Sequence, residues 1–170
     1  MKNAFVYAGL LASALFLGAS AHAQQASGSM QAMQDSSNAK AMAASAPRDP
    51  ALKPYFADFG GKAGLKALME DFMANLMADP RTQPFFAHVD RTRIKHELVD
   101  QFCVILDGPC TYTGASMAQA HRGLGIKRAD FNALVEDLQK AMNKHNIPFR
   151  AQNKLLAKLA PMHRDIVTKQ

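Results

Sequence analysis

One stretch of this chain, Gly108 to Ile126 (GPCTYTGASMAQAHRGLGI), constrains its fold more than any other. Gly108-Pro109 interrupts any helix or strand, and Gly114 interrupts the chain again. Ala115 to Arg122 is then a run of good helix formers without a β-branched residue. Gly123 and Gly125 end it, as glycine does at helix C-termini. The pattern predicts one or two helical turns between bends. His121 falls at the last of these turns, with Met117 one turn before it and Leu124 after it, so it rises from an apolar face. Two readings fit such a histidine. It is a helix C-terminal residue that complements the dipole, or it is a neutral imidazole ligand for a metal or haem. Spacing alone does not choose between them.

Helical periodicity dominates the rest of the chain. Gly60-Gly61 closes a short first helix, and Leu65, Leu68, Met69, Phe72 and Leu76 recur at helical spacing until Asp79-Pro80. Pro84-Phe85-Phe86 forms a tight apolar corner. Ile94, Leu98, Phe102 and Ile105 mark the next stripe, and Phe131, Leu134, Val135, Leu138 and Met142 mark a long helix beyond the histidine segment. Pro148 stands where a last helix begins, lined by Leu155, Leu156, Leu159, Met162 and Ile166. No strand-like alternation competes, so the fold class is all-α. Residues 51–170 suffice for one core and not for two domains.

The N-terminal end reads as an address. Lys2, the apolar run Ala4 to Leu17 and the small-x-small triplet Ala21-His22-Ala23 predict a secretory leader, residues 1–23, removed on export to the periplasm or the medium. The apolar run is short for a bilayer span, so no stable membrane anchor is expected. Residues 24–50 are rich in Gln, Ala, Ser and Met without an apolar period, which predicts a flexible linker. The formal net charge of +6 is spread along the chain. It reads as a solvated surface rather than a nucleic-acid-binding stripe. The two cysteines, Cys103 and Cys110, do not form C-x-x-C-H, so covalent haem attachment is not indicated. In an exported chain they admit a disulfide, with two packed thiols as the alternative.

A wider resemblance joins these features. PYFADFGG (Pro54–Gly61), Ala78–Phe86, Val89-Asp90, Asp107–Gly114, Ala120–Ile126 and Ala129–Phe131 occur in the order and form that resemble a group 1 truncated haemoglobin, over about Tyr55 to Val167. The resemblance implies a two-over-two helical sandwich around non-covalent haem b, residues 51–170, with His121 as the proximal iron ligand. It places Phe86, Met73, Ile94, Leu98, Phe102, Tyr112, Met117 and Ile126 around the cofactor. It puts Arg93, Lys95 and Lys127 near the rim as candidate partners for the haem propionates.

The distal side departs from the family. Met73 stands where the family commonly has an oxygen-binding Tyr, and Ile94 and Leu98 occupy positions where polar residues often assist. The pocket expected is apolar, with Gln101 the nearest amide and Met73 a candidate sixth iron ligand. The position that supplies a sixth ligand in some members is Glu97 here. His96, one residue off, is turned by about 100° and should point away. The function implied is reversible binding of a diatomic gas (oxygen, nitric oxide or carbon monoxide) by a monomer or weak dimer served by an unidentified reductase. The alternatives are a haem enzyme, such as a nitric oxide dioxygenase or a peroxidase-like protein, and a six-coordinate electron carrier. Catalysis on bound oxygen needs a preorganised donor, and none is evident.

Overall fold

The computed structural model describes residues 20–169. The expected leader, residues 1–23, lies outside them apart from Ser20 to Ala23. The chain divides into two units at Ser37 and Asn38. The first helix, α1, runs Ser20–Ser45 and is shared by both. In the first unit its side chains from Met30 to Ser37 are exposed.

Most of the segment expected as a linker, residues 24–50, lies in α1. Its Ala, Gln and Met residues are good helix formers, and they form a helix even though no apolar stripe runs along it. The segment from Asn38 onward belongs to the second unit, where Ser45 and Ala46 are only 2% and 6% exposed.

The second unit is a helical sandwich. A turn at Pro50–Leu52, capped by the Asp49 carboxylate on Ala51 N–H at 2.9 Å, leads into α2 (Lys53–Asp58). Helices α3 (Gly61–Ala78), α4 (Gln83–Phe86) and α5 (Arg91–Ile105) follow. Then come the short α6 (Met117–Ala120), α7 (Arg128–Lys144), α8 (Phe149–Leu159) and α9 (His163–Ile166). Helix α3 packs on both α5 and α7, and α5 meets α8, which gives the two-over-two arrangement. The predicted α3 stripe is the centre of the core: Leu65, Leu68, Met69, Phe72 and Leu76 are all buried. Two polar staples hold α3 and its exit loop to α7. Asn75 Nδ2 donates to the Asp137 carbonyl at 3.1 Å, and the buried Thr82 hydroxyl donates to the Leu76 carbonyl at 2.8 Å beside the Asp137 carboxylate. Among the described residues there is no strand, and no helix is long and apolar enough to cross a membrane.

The end of α5 is built with unusual care. Asp107 takes the left-handed conformation, φ 55°, and Gly108 N–H closes back on the Cys103 carbonyl at 2.7 Å. A β-carbon on Gly108 would lie 2.7 Å from both Cys103 Sγ and the Phe56 ring, so this position has room only for glycine. The tight return brings Cys110 onto Cys103, and the two are joined as a disulfide with their α-carbons 5.9 Å apart. Of the two readings open in the sequence, the structure takes the bridge.

The last helix is shorter than predicted. Pro161 has no N–H to continue the ladder, so the chain tightens through a 3₁₀ turn at Ala160–Met162 before α9. Beyond α9, the amides of Thr168 and Lys169 both donate to the Ile126 carbonyl, at 3.0 and 3.1 Å.

Candidate functional site

An apolar cavity of about 440 Å³ opens between the layers. Phe72 and Leu76 of α3, the corner residues Phe85 and Phe86, and Ile94, Leu98, Gln101 and Phe102 of α5 form one side. Tyr112, Met117, His121, Leu124 and Ile126 form another, and Phe131, Leu134 and Leu138 of α7 close it with Leu159, Met162 and Ile166. Charged residues, Asp90, Arg93, Glu97 and Asp130, appear only at the rim. Ile94, Leu98, Leu134, Leu159 and Ile166 are only partly buried. Half-open apolar side chains around a concave opening mark a place for an apolar ligand.

His121 is set into this wall by local geometry. Helix α6 is a single turn, opened by a capping box in which Ser116 Oγ accepts from Gln119 N–H at 3.3 Å and Gln119 Oε1 accepts from Ser116 N–H at 3.2 Å. His121 is its C-cap. Gly123 and Gly125, with φ of 78° and 65°, then turn the chain away, in a conformation that other residues adopt only under strain. The His121 Nδ1 lies 2.8 Å from the Met117 carbonyl. A carbonyl only accepts, so Nδ1 carries the proton and Nε2 is left with its lone pair. Among the described residues Nε2 has no protein partner. Burial lowers the pKa of the imidazole below its ordinary value, against a smaller opposing effect of the Met117 carbonyl. A neutral ring with a fixed tautomer and one free nitrogen is the form that ligates a metal.

The hydroxyl and amide side chains that line the cavity interior have partners within the protein. The Tyr112 hydroxyl donates to the Ala115 carbonyl at 2.7 Å, and burial, with the Glu97 charge second, raises its pKa further. Gln101 Nε2 donates to the Ser45 carbonyl at 2.6 Å, and the Thr82 hydroxyl serves Leu76. At the rim, Arg93 is paired with Glu97 at 2.8 Å.

His121, Phe86, Ile94, Leu98, Phe102, Tyr112, Met117 and Ile126 all border this cavity. Met73 is the exception. It is buried in the core, 6% exposed, and does not border the cavity. The cavity side of α3 carries Phe72 and Leu76, a turn apart, and Met73 packs into the core beside them. Of the three cations expected at the rim, only Arg93 borders the cavity. Lys95 pairs with Glu70, and Lys127 is an exposed N-cap whose amide is held by Asp130. His96 is exposed and near Asp100, pointing away as predicted. The sequence reading missed the wall supplied by Phe72, Leu134 and Leu138. Their helical stripes were visible, but which part of a stripe faces a cavity is set by tertiary packing.

Residues 55–168 match the family model described as bacterial-like globin. The chain is 32% identical over 109 residues to a group 1 truncated hemoglobin of Mycolicibacterium paratuberculosis, covering 64% of this chain and 80% of that one. It is 26% identical over 110 residues to the group 1 truncated hemoglobin of Tetrahymena pyriformis, covering 65% of this chain and 91% of the other. The crystal structure of the Tetrahymena pyriformis protein in its Fe(III) form superposes with a TM-score of 0.64 at 24% identity, covering 68% and 98% of the two chains. The 2/2 hemoglobin of Synechococcus in its cyanomet state gives a TM-score of 0.63 at 21% identity, covering 68% and 98%. On the family match and the mycobacterial relative together, this chain belongs to the bacterial-like globin family, whose members hold haem b.

Proposed function

We propose that this chain is an exported haem b globin that binds a diatomic gas reversibly, with His121 Nε2 as the protein's axial ligand to iron. The observation that carries the reading is the neutral, tautomer-fixed imidazole on the wall of an apolar cavity. Haem, held by His121, would supply the iron to which a diatomic gas binds. The chain's own residues do the rest. The Met117 carbonyl holds the proton on Nδ1, and Phe86, Ile94, Leu98 and Phe102 keep water from the bound face. Arg93 is the rim cation within reach of a carboxylate, once it exchanges its contact with Glu97.

The distal wall favours carbon monoxide or nitric oxide over oxygen. Bound oxygen gains most from a hydrogen bond; the Tyr112 and Thr82 hydroxyls are spent on backbone carbonyls, and Gln101 Nε2 is held by the Ser45 carbonyl with the Met117 and Met162 thioethers beside it at 3.8 Å. The same feature argues against oxygen-dependent catalysis, which needs a donor aimed at developing charge. Purified protein should show a Soret band, with a five-coordinate ferrous form that takes carbon monoxide. Absence of the band after haem titration would refute the haem reading. A slow oxygen release would refute the ligand preference. Export rests on Lys2, the apolar run and Ala21-His22-Ala23. N-terminal sequencing of native protein that began at Met1 would refute it.

A further inference from the structure

The family match begins at residue 55, yet the segment from Asn38 to Arg48 is stitched to the histidine side of the cavity. Ser45 is the centre of that seam. It is 2% exposed, and its hydroxyl donates to the Ala41 carbonyl at 2.9 Å while accepting from Met117 N–H at 2.8 Å. Its own carbonyl, one of those left without a partner at the end of α1, accepts from Gln101 Nε2 at 2.6 Å. Nearby, Gln119 Nε2 reaches Asn38 Oδ1 at 3.3 Å, and Arg48 holds Asp107 and the carbonyls of Gly108 and Cys110.

We propose that Ser45 is a positioning residue for His121, acting from outside the family-matched region; the proposal rests on reading His121 as the haem ligand. Met117 is the first residue of α6, so its amide has no partner within the helix. Ser45 Oγ fills that vacancy and fixes the peptide at one end. At the other end the Met117 carbonyl accepts the His121 Nδ1 proton. The hydroxyl thus sets the residue that sets the tautomer and tilt of the imidazole. Through Gln101, the same serine is also tied to α5. Partners of a ligating histidine typically govern metal affinity tenfold to a hundredfold. Ser45 stands one bond further out, so its loss is expected to speed haem dissociation by about tenfold.

The experiment uses the full mature chain with Ser45→Ala, Ser45→Thr and Arg48→Ala. Two readouts are taken: the iron–histidine stretching band of the ferrous protein by resonance Raman, and haem transfer to apomyoglobin. Ser45→Ala should shift or broaden the band and speed haem loss about tenfold. Ser45→Thr, which keeps the hydroxyl, should restore both. Arg48→Ala, which loosens the same segment without touching Met117, should leave the band in place. A Ser45→Ala protein with a lower Tm but an unchanged band and haem loss would overturn the proposal. So would an equal band shift in Arg48→Ala. Two measurements stand apart from haem. In wild type, the Met117 amide should exchange far more slowly than that of the exposed Ala118, and equal exchange would overturn the proposal. Above pH 7, imidazole ¹⁵N shifts of the haem-free protein should show His121 protonated on Nδ1 in wild type and mixed in Ser45→Ala. If wild type took up no haem, the function proposed above would fall, while these two measurements would still decide the role of Ser45.

Discussion

Replacing Leu98 by Gln should convert this pocket from one that releases oxygen quickly to one that retains it. Leu98 lies on the cavity face of α5, is only partly buried, and stands one turn from both Ile94 and Gln101. Glutamine fits its length and brings an amide donor that no neighbouring carbonyl has claimed. A hydrogen bond to a charged or strongly polarised partner contributes about 1.5–3 kcal/mol. Oxygen release should therefore slow by about tenfold to a hundredfold, since about 1.4 kcal/mol is a factor of ten. Carbon monoxide, bound with little charge transfer, should change by less than about threefold. Losing part of the Leu98 burial costs on the order of 1 kcal/mol of stability, so the variant should fold. Stopped-flow displacement of oxygen and of carbon monoxide from wild type and Leu98→Gln measures both. Equal slowing for the two gases would mean that the glutamine narrows the exit rather than donating. A slow wild-type rate that the substitution leaves alone would mean that a donor already reaches the ligand, and the inventory of committed donors would be wrong.

His121→Ala should abolish the iron–imidazole band and leave a protein that loses haem readily, because no other described histidine borders the cavity; an unchanged band refutes the assignment. The depressed pKa of His121 makes the haem-free fold acid-sensitive. The unfolded chain takes up this proton as pH falls through about 6.5 while the folded chain resists it, so stability present above that pH is lost below it. Tm of the haem-free protein should fall between pH 7 and 5, and the fall should be shallower in His121→Ala, as calorimetry can show. Cutting the Cys103–Cys110 bridge, whose sequence separation is 7 residues, should cost about 2–2.5 kcal/mol by loop entropy and lower Tm by roughly 10 °C. Thermal melts of Cys103→Ser/Cys110→Ser beside wild type test this.

The parts of this molecule that were legible in its sequence are those encoded by local repetition. Leu65, Leu68, Phe72 and Leu76 announce a buried helix face by spacing alone, and the bends around His121 announce themselves as glycines. Phe72 and Met73 show where that legibility ends. Both are buried, and only the packing of α3 between α5 and α7 decides which of them borders the cavity. Ser45 was out of reach for another reason. Its partner Met117 lies 72 positions away, and neither residue type signals the other at that distance. The surrounding Gln, Ala and Ser residues lack the apolar period by which a docked segment is recognised, since this one is docked through backbone and hydroxyl groups.

The hydrogen bonds from Thr168 and Lys169 to the Ile126 carbonyl carry a consequence for biogenesis. Ile126 lies just beyond the His121 turn, and Leu159, Met162 and Ile166 supply one wall of the same cavity. A ribosome delivers the chain from its N-terminus at about 5–20 residues per second. When the imidazole emerges, the wall opposite and the clasp behind Ile126 have yet to be made. Haem capture by this chain is therefore expected to follow synthesis, and a nascent chain that stops short of Leu159, lacking both that wall and the clasp, should remain colourless in the presence of free haem.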